Sequence, residues 1–147
     1  MGEWSKWRDI NELPDYKGAG VYKIRILNNN NPIVVNRFLA CDEEGILQIG
    51  RSNNINRRLK YFLGCINGKD YSHAEGKKFH LISEQSKINE IYKDLKLQYS
   101  FLQTEEHECE SKEEYLIKCY FKKHGEVPPL NNNLPDSLTN WEGLKCR

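Results

Sequence analysis

The chain has 147 residues, 38% of them hydrophobic and 29% charged, with a formal net charge of +1; this fits one soluble domain with a single apolar core, and two domains would be a squeeze. No apolar run approaches the roughly 20 residues of a membrane span, and the N-terminus MGEWSKWRDINEL is polar and charged where a signal peptide carries its apolar stretch, so a cytoplasmic protein without a membrane partner is expected. Cys41, Cys65, Cys109, Cys119 and Cys146 are an odd set with no CxxC pair and no zinc spacing, and they read as free thiols.

The elements follow in chain order. Val21 to Leu27 alternates as a half-buried strand, the asparagines Asn28 to Asn31 read as a turn, and Ile33 to Leu39 supplies a second β-rich run, so a hairpin is expected. Asp42 to Gly45 makes another turn before the short apolar strand Ile46 to Ile49. Ile55, Leu59, Phe62, Leu63 and Ile66 then follow one helical face, with Asn53 or Asn54 as the cap and Gly68 as the stop. A short helix or irregular segment at Phe79 to Ser83, a helical stretch near Ile88 to Leu95 and a strand at Leu97 to Leu102 come next. The last helix is predicted from Ser111 to about His124, because Ser111 and Glu114 have capping-box spacing and Gly125 and Pro128 supply the stop.

Charge is segregated along this order. Arg51, Arg57, Arg58, Lys60, Lys69, Lys77 and Lys78 outnumber Asp70 and Glu75 in the middle, whereas Glu105, Glu106, Glu108, Glu110, Glu113 and Glu114 crowd a later stretch. A local basic surface suits a polyanion whatever the net charge.

Three blocks carry a resemblance: GVY at Gly20 to Tyr22, QIGRSNNINRRLKYF at Gln48 to Phe62, and ESKEEYLIKCYFKKHGEVPPLN at Glu110 to Asn131. In order and spacing they resemble the GIY-YIG nuclease domain. The resemblance implies an α/β (α+β) fold with a small central antiparallel sheet flanked by helices, one domain over 1–147 with a core of about 18–133. It also implies hydrolysis of a DNA phosphodiester assisted by one divalent cation, Mg²⁺ or Mn²⁺. Such a reaction needs a group to activate water, a cation for the charge developing on phosphate, and a carboxylate to hold the metal. The matching positions offer Tyr22, Arg58 and Glu113.

Helical geometry sorts the adjacent candidates independently. At about 100° per residue, Arg58 lies about 80° from the centre of the apolar arc and borders the sheet, while Arg57 points almost opposite, to solvent. In the last helix Glu113 falls at about 160°, inside the arc between Tyr120 and Ile117, whereas Glu114 lies outside it, where a capping box explains it. A carboxylate inside an apolar arc needs a partner, so Glu113 is the expected metal ligand. Read alone, Tyr22 is a strand aromatic packing on a helix, and Arg58 a snorkelling arginine.

The resemblance further points to His73, in SHAEG, as a group assisting at the phosphate or water, and to Asn131 after the glutamate helix; a solvated histidine and a turn asparagine are the plainer readings. Gln48, Arg51, Arg57, Lys60, Tyr61 and Asn131 complete the expected substrate-binding set. The sequence departs from the family pattern at Gln48, which replaces the tyrosine of YIG, and at Phe62, where a His or Tyr is usual; Tyr61 stands one position early and leans toward the same pocket. A noncatalytic nucleic-acid-binding module with the same fold is therefore the alternative. One site should nick one strand, and cutting both would need a homodimer or two visits.

Overall fold

The computed structural model describes residues 2–69, 73–91, 94–135 and 144–146. The short strand β1 (Arg8–Asp9) precedes the long β2 (Gly20–Asn28), β3 (Asn31–Pro32), β4 (Val35–Asn36), β5 (Cys41–Asp42) and β6 (Ile46–Ser52). Three helices follow, α1 (Ile55–Ile66), α2 (Ala74–Ser83) and α3 (Ser86–Ile91), then β7 (Leu95–Gln103) and α4 (Cys109–His124). The result is a mixed α and β domain with an antiparallel sheet, as expected. No helix among the described residues is long and apolar enough to cross a membrane.

β2 is the centre of the sheet. β7 pairs along its whole length on one edge, and β6 followed by β3 pairs on the other, all antiparallel; β1 extends the sheet beyond β7. The alternation of β2 sends Tyr22, Ile24 and Ile26 into a core with Ile55, Leu59 and Phe62 of α1, while Lys23 and Arg25 on the opposite face lie over the rings of Trp4 and Trp7. A register shift in β6 leaves Leu47 as the extra residue, so Ile46 and Ile49 both face Ile117 and Tyr120 of α4. Helices thus cover both faces of the sheet, and β6 is an outer strand that borders both layers.

The expected hairpin forms only at its tip. Asn29 and Asn30, at φ 52° and 65°, make the two-residue turn between β2 and β3, a geometry asparagine tolerates better than most residues. Val35–Asn36 then leaves the sheet to pair with Cys41–Asp42, so Ile33 to Leu39 is not one strand. Asn54 caps α1 by accepting the Arg57 N–H at 3.0 Å.

α2 begins five residues earlier than the periodicity indicates, because the cap is a histidine: His73 Nδ1 accepts the Gly76 N–H at 3.1 Å. The helical stretch expected near Ile88 to Leu95 is α3 over Ser86–Ile91, and Leu95 already pairs with Asn28 in the sheet. Residues 92–93, and Asp70 of the basic stretch, lie outside the described residues.

α4 corrects the capping box. A turn of 3₁₀ helix at Glu106–Glu108 leads directly into Cys109, which is buried and anchors the start, so Ser111 sits inside the first turn and donates to the Glu108 carbonyl. Glu114 pairs with Lys118 at 2.8 Å instead of capping.

The reading of all five cysteines as free thiols is also corrected: Cys119 on α4 is bonded to Cys146, 27 residues on, while Cys41, Cys65 and Cys109 are free. Sequence spacing alone carries no signal for a pair brought together by the return of the tail along α4, where Tyr115 Oη donates to the Lys145 carbonyl and Lys122 Nζ to that of Leu144. Reduction with dithiothreitol is expected to lower the unfolding free energy by about 3–4 kcal/mol, the scale for a loop of 27 residues. A urea midpoint that does not move on reduction would show that the bond contributes nothing.

Candidate active site

Tyr22 stands opposite Gly50 of β6, where a Cβ would come within 2.5 Å of the tyrosine Cζ and Oη. Only glycine lets the ring cross β6 toward its outer edge. There the phenol, itself fully buried, meets three N–H groups: Gln48 Nε2 at 3.3 Å, Arg58 Nε at 3.4 Å and His73 Nε2 at 3.4 Å. The tautomer of His73 follows from its other nitrogen: Nδ1 accepts from Gly76 and has no proton, so Nε2 carries it and donates to Tyr22.

His73 is buried rather than solvated. Gly76 holds α2 against α1, where a Cβ would lie 2.6 Å from that of Cys65 and 3.0 Å from the Phe62 carbonyl oxygen. In that seat the His73 N–H reaches Cys65 Sγ, and the edge of the Phe62 ring meets the imidazole with centroids 5.1 Å apart. Phe62, a departure from the family pattern, thus positions the histidine.

A cavity of about 320 Å³ opens beside the tyrosine, lined among others by Gln48, Arg58, Glu75, Glu113 and Asn131. Glu113 shares its face of α4 with Ile117 and Tyr120, as the helical geometry predicts, and is partly buried. Its Oε2 accepts from Arg51 Nε at 2.9 Å. Tyr22 and Glu113 belong to opposite layers of the domain and meet because the cavity lies over the edge of β6.

The electrostatics follow from burial. It pushes the Tyr22 phenol up to about 12, against the opposing pull of the Arg58 charge. Burial also raises Glu113, with Arg51 opposing and Glu75 adding to the rise. Arg58 is held above its ordinary value: burial works against its charge, but Tyr22, Glu75 and Glu113 outweigh it. His73 is lowered to about 3, chiefly by burial and then by the Arg58 charge, so it is neutral at physiological pH.

This depressed value fixes a sign. Above pH 6.5 the imidazole is neutral whether the chain is folded or not; as the pH falls below 6.5 toward 3 the unfolded chain takes up a proton that the folded chain refuses, and stability drops by up to about 1.4 kcal/mol per pH unit. His73→Asn keeps a capping oxygen for Gly76 and is expected to remove that one-proton slope. Urea unfolding of both proteins in EDTA between pH 7 and 4 measures it, and parallel curves would contradict a neutral buried His73.

The remaining expected residues divide. Arg51, Arg57, Arg58 and Tyr61 line a second cavity of about 440 Å³, so Arg58 is a wall common to both. Tyr61 is exposed and turns to this outer cavity, away from Tyr22. Arg57 and Lys60 are exposed on α1, as the helical geometry predicts for Arg57, whereas Arg51 is committed to Glu113 and Glu110. Gln48 is buried, donating to Tyr22 instead of facing outward.

Asn131 spends both ends of its amide on β6, accepting from the Ile49 N–H at 3.0 Å and donating to the Ile49 carbonyl at 2.9 Å. It completes the strand edge and holds the loop after α4 at the cavity. Lys78 supports the same loop through the Pro129 carbonyl at 2.9 Å.

The residue that sequence reasoning missed is Glu75, counted only as one acid in a basic stretch. It lines the cavity from the first turn of α2, and its Oε2 is buried without a hydrogen bond, as is Gln48 Oε1. Its position two residues after His73 in HAEG was the available signal. Among the described residues no three His, Cys, Asp or Glu side chains come together. The donors facing the cavity are carboxylate and amide oxygens, which suit a hard divalent cation such as Mg²⁺ or Mn²⁺ and not a soft one.

The fold and cavity define a small α and β domain with a tyrosine, arginine, histidine and glutamate cluster at a sheet edge. No protein-family profile, curated protein or solved structure matches the chain.

Proposed function

We propose that this chain is a divalent-metal-dependent DNA endonuclease of the GIY-YIG type. The observation that carries the reading is the convergence of Tyr22, Arg58 and Glu113, from β2, α1 and α4, on one cavity of about 320 Å³. These are the three positions that the resemblance selects, and they supply a proton acceptor, a fixed positive charge and a metal-holding carboxylate.

Tyr22 acts as phenolate: its own proton is lost to solvent first, and its oxygen then takes the proton of the attacking water. Burial holds the phenol up at about 12 even with Arg58 beside it, so the phenolate is the minor form in the free protein, and the N–H groups of Arg58, Gln48 and His73, all directed at that oxygen, are what stabilise it when it forms. The Arg58 guanidinium, donating to Tyr22 through Nε, is the chain's own charge against the phosphate oxygens. Glu113, with Arg51 on only one of its oxygens, would hold the metal. A bound Mg²⁺ or Mn²⁺ supplies stabilisation for the charge that develops on the phosphate. Arg57 and Lys60 on the exposed side of α1 give the DNA backbone cations to follow, so binding should weaken with salt.

The setting in this reading is the cytoplasm, where the Cys119–Cys146 bond is exposed to reduction. One cavity serves one strand, so a double-strand cut takes a second copy or a second visit. Supercoiled plasmid incubated with the purified protein and Mg²⁺ or Mn²⁺ is expected to become nicked. A folded protein that retains DNA in a salt-sensitive way but never nicks it would establish the noncatalytic binding module instead.

A further inference from the structure

Glu75 Oε2 has an unusual neighbour. His73 Nδ1 lies 3.3 Å away, a distance that would make an ion pair with a protonated imidazole. That nitrogen, however, already accepts the Gly76 N–H through its lone pair, so it has no proton to offer the carboxylate. Two acceptors face each other, and the oxygen is left buried without a donor.

A second unpaired acceptor lines the same cavity. Gln48 is only 1% exposed; its Nε2 is spent on Tyr22, and its Oε1 has no partner. Buried acceptors without donors are costly, and exchanging the two ends of the amide would only orphan Nε2 while the phenol donates to the oxygen. The arginines do not complete the set, since Arg58 Nε is turned to Tyr22 and Arg51 Nε to Glu113 Oε2. A cation entering the cavity would relieve the repulsion of the two carboxylates that line it, and the orphaned oxygens of Glu75 and Gln48, residues of the same lining, would turn to it.

We propose that Glu75 and Glu113 together hold one divalent cation in this cavity, with the Gln48 carbonyl as the third protein oxygen. Glu75 and Glu113 supply the negative charge, Arg51 already offsetting part of that on Glu113, and few protein oxygens leave room for the waters that Mg²⁺ keeps. The assignment deepens the nuclease reading and rests on it for the use made of the ion. It also gives α2 a part in the site beyond the placement of His73, since Glu75 joins the two helical layers across the edge of β6.

The test is a titration of the full chain with Mn²⁺ alone, without DNA, following free Mn²⁺ by electron paramagnetic resonance. Wild type is expected to bind one ion per chain. Glu75→Gln and Glu113→Gln should each weaken binding at least about tenfold, the loss that even outer-shell partners of a metal cause. Glu114→Gln, whose residue pairs with Lys118, should bind as wild type does.

Metal-free melting curves establish that each variant is folded, and Glu75→Ala is a second form of the same test that introduces no new amide. Wild-type affinity in either folded Glu75 variant overturns the assignment of Glu75 and leaves the nuclease reading, with Glu113 alone on the metal, intact. A wild-type chain that binds no Mn²⁺ at millimolar concentration overturns the cation site, while plasmid nicking judges the nuclease reading separately. Binding that depends on Glu75 without any nicking keeps the site and overturns the nuclease reading.

Discussion

Arg58→Ala is expected to lower plasmid nicking by on the order of 10²–10³-fold, the usual result of removing one preorganised donor from a developing oxyanion. The side chain bridges both cavities and donates to Tyr22, so its loss removes charge from the phosphate and from the phenol together. Arg58→Lys restores a charge without the planar fork and should recover only part of the rate. Arg57→Ala, on the exposed side of the helix, should weaken DNA retention with a smaller effect on the chemical step. Rates measured at saturating plasmid, with anisotropy in EDTA for binding, separate these effects. Wild-type nicking by Arg58→Ala would remove this residue from the mechanism.

The carboxylates of α4 give the other large contrast. Glu113→Gln is expected to reduce nicking by about 10³-fold or more, the rate equivalent of the several kcal/mol that a metal supplies to a transition state. DNA binding in EDTA should stay near the wild-type value or tighten slightly, because the neutral isostere keeps the volume and removes a repulsion with phosphate. Glu114→Gln should cut as wild type does, its cost falling on stability through the pair with the buried Lys118, about 1–3 kcal/mol. A dead Glu114→Gln beside an active Glu113→Gln would transfer the metal to the neighbouring residue.

Much of the site could be read before the fold because its anchors lie on regular elements. Period 2 puts Tyr22 on the inner face of β2, and period 3.6 separates Arg58 from Arg57 and Glu113 from Glu114. The limits of that reasoning lie where side chains replace the usual backbone signals. A histidine caps α2, a 3₁₀ turn carries α4 past its apparent cap, and Asn131 completes β6 as a strand would. Glu75, and the buried state of Gln48, were obscure for another reason. What distinguishes them is an oxygen left unpaired in a buried place, a property of packing that no residue spacing encodes.

The unequal support of the two halves of the site has a consequence for how it breathes. β2 is bonded on both edges, so the amides around Tyr22 exchange with solvent hydrogen only in openings that take the sheet apart. α2, which brings His73 and Glu75, lies outside the sheet and is held on α1 at Gly76 and by the Phe79 side chain on the core, so it is expected to open as a smaller unit. Its amides should exchange by a lower-energy route than those of β2, and each such opening withdraws one N–H from the tyrosine while the other two stay in place. An opening of that one helix would leave the strand that carries the phenol in place.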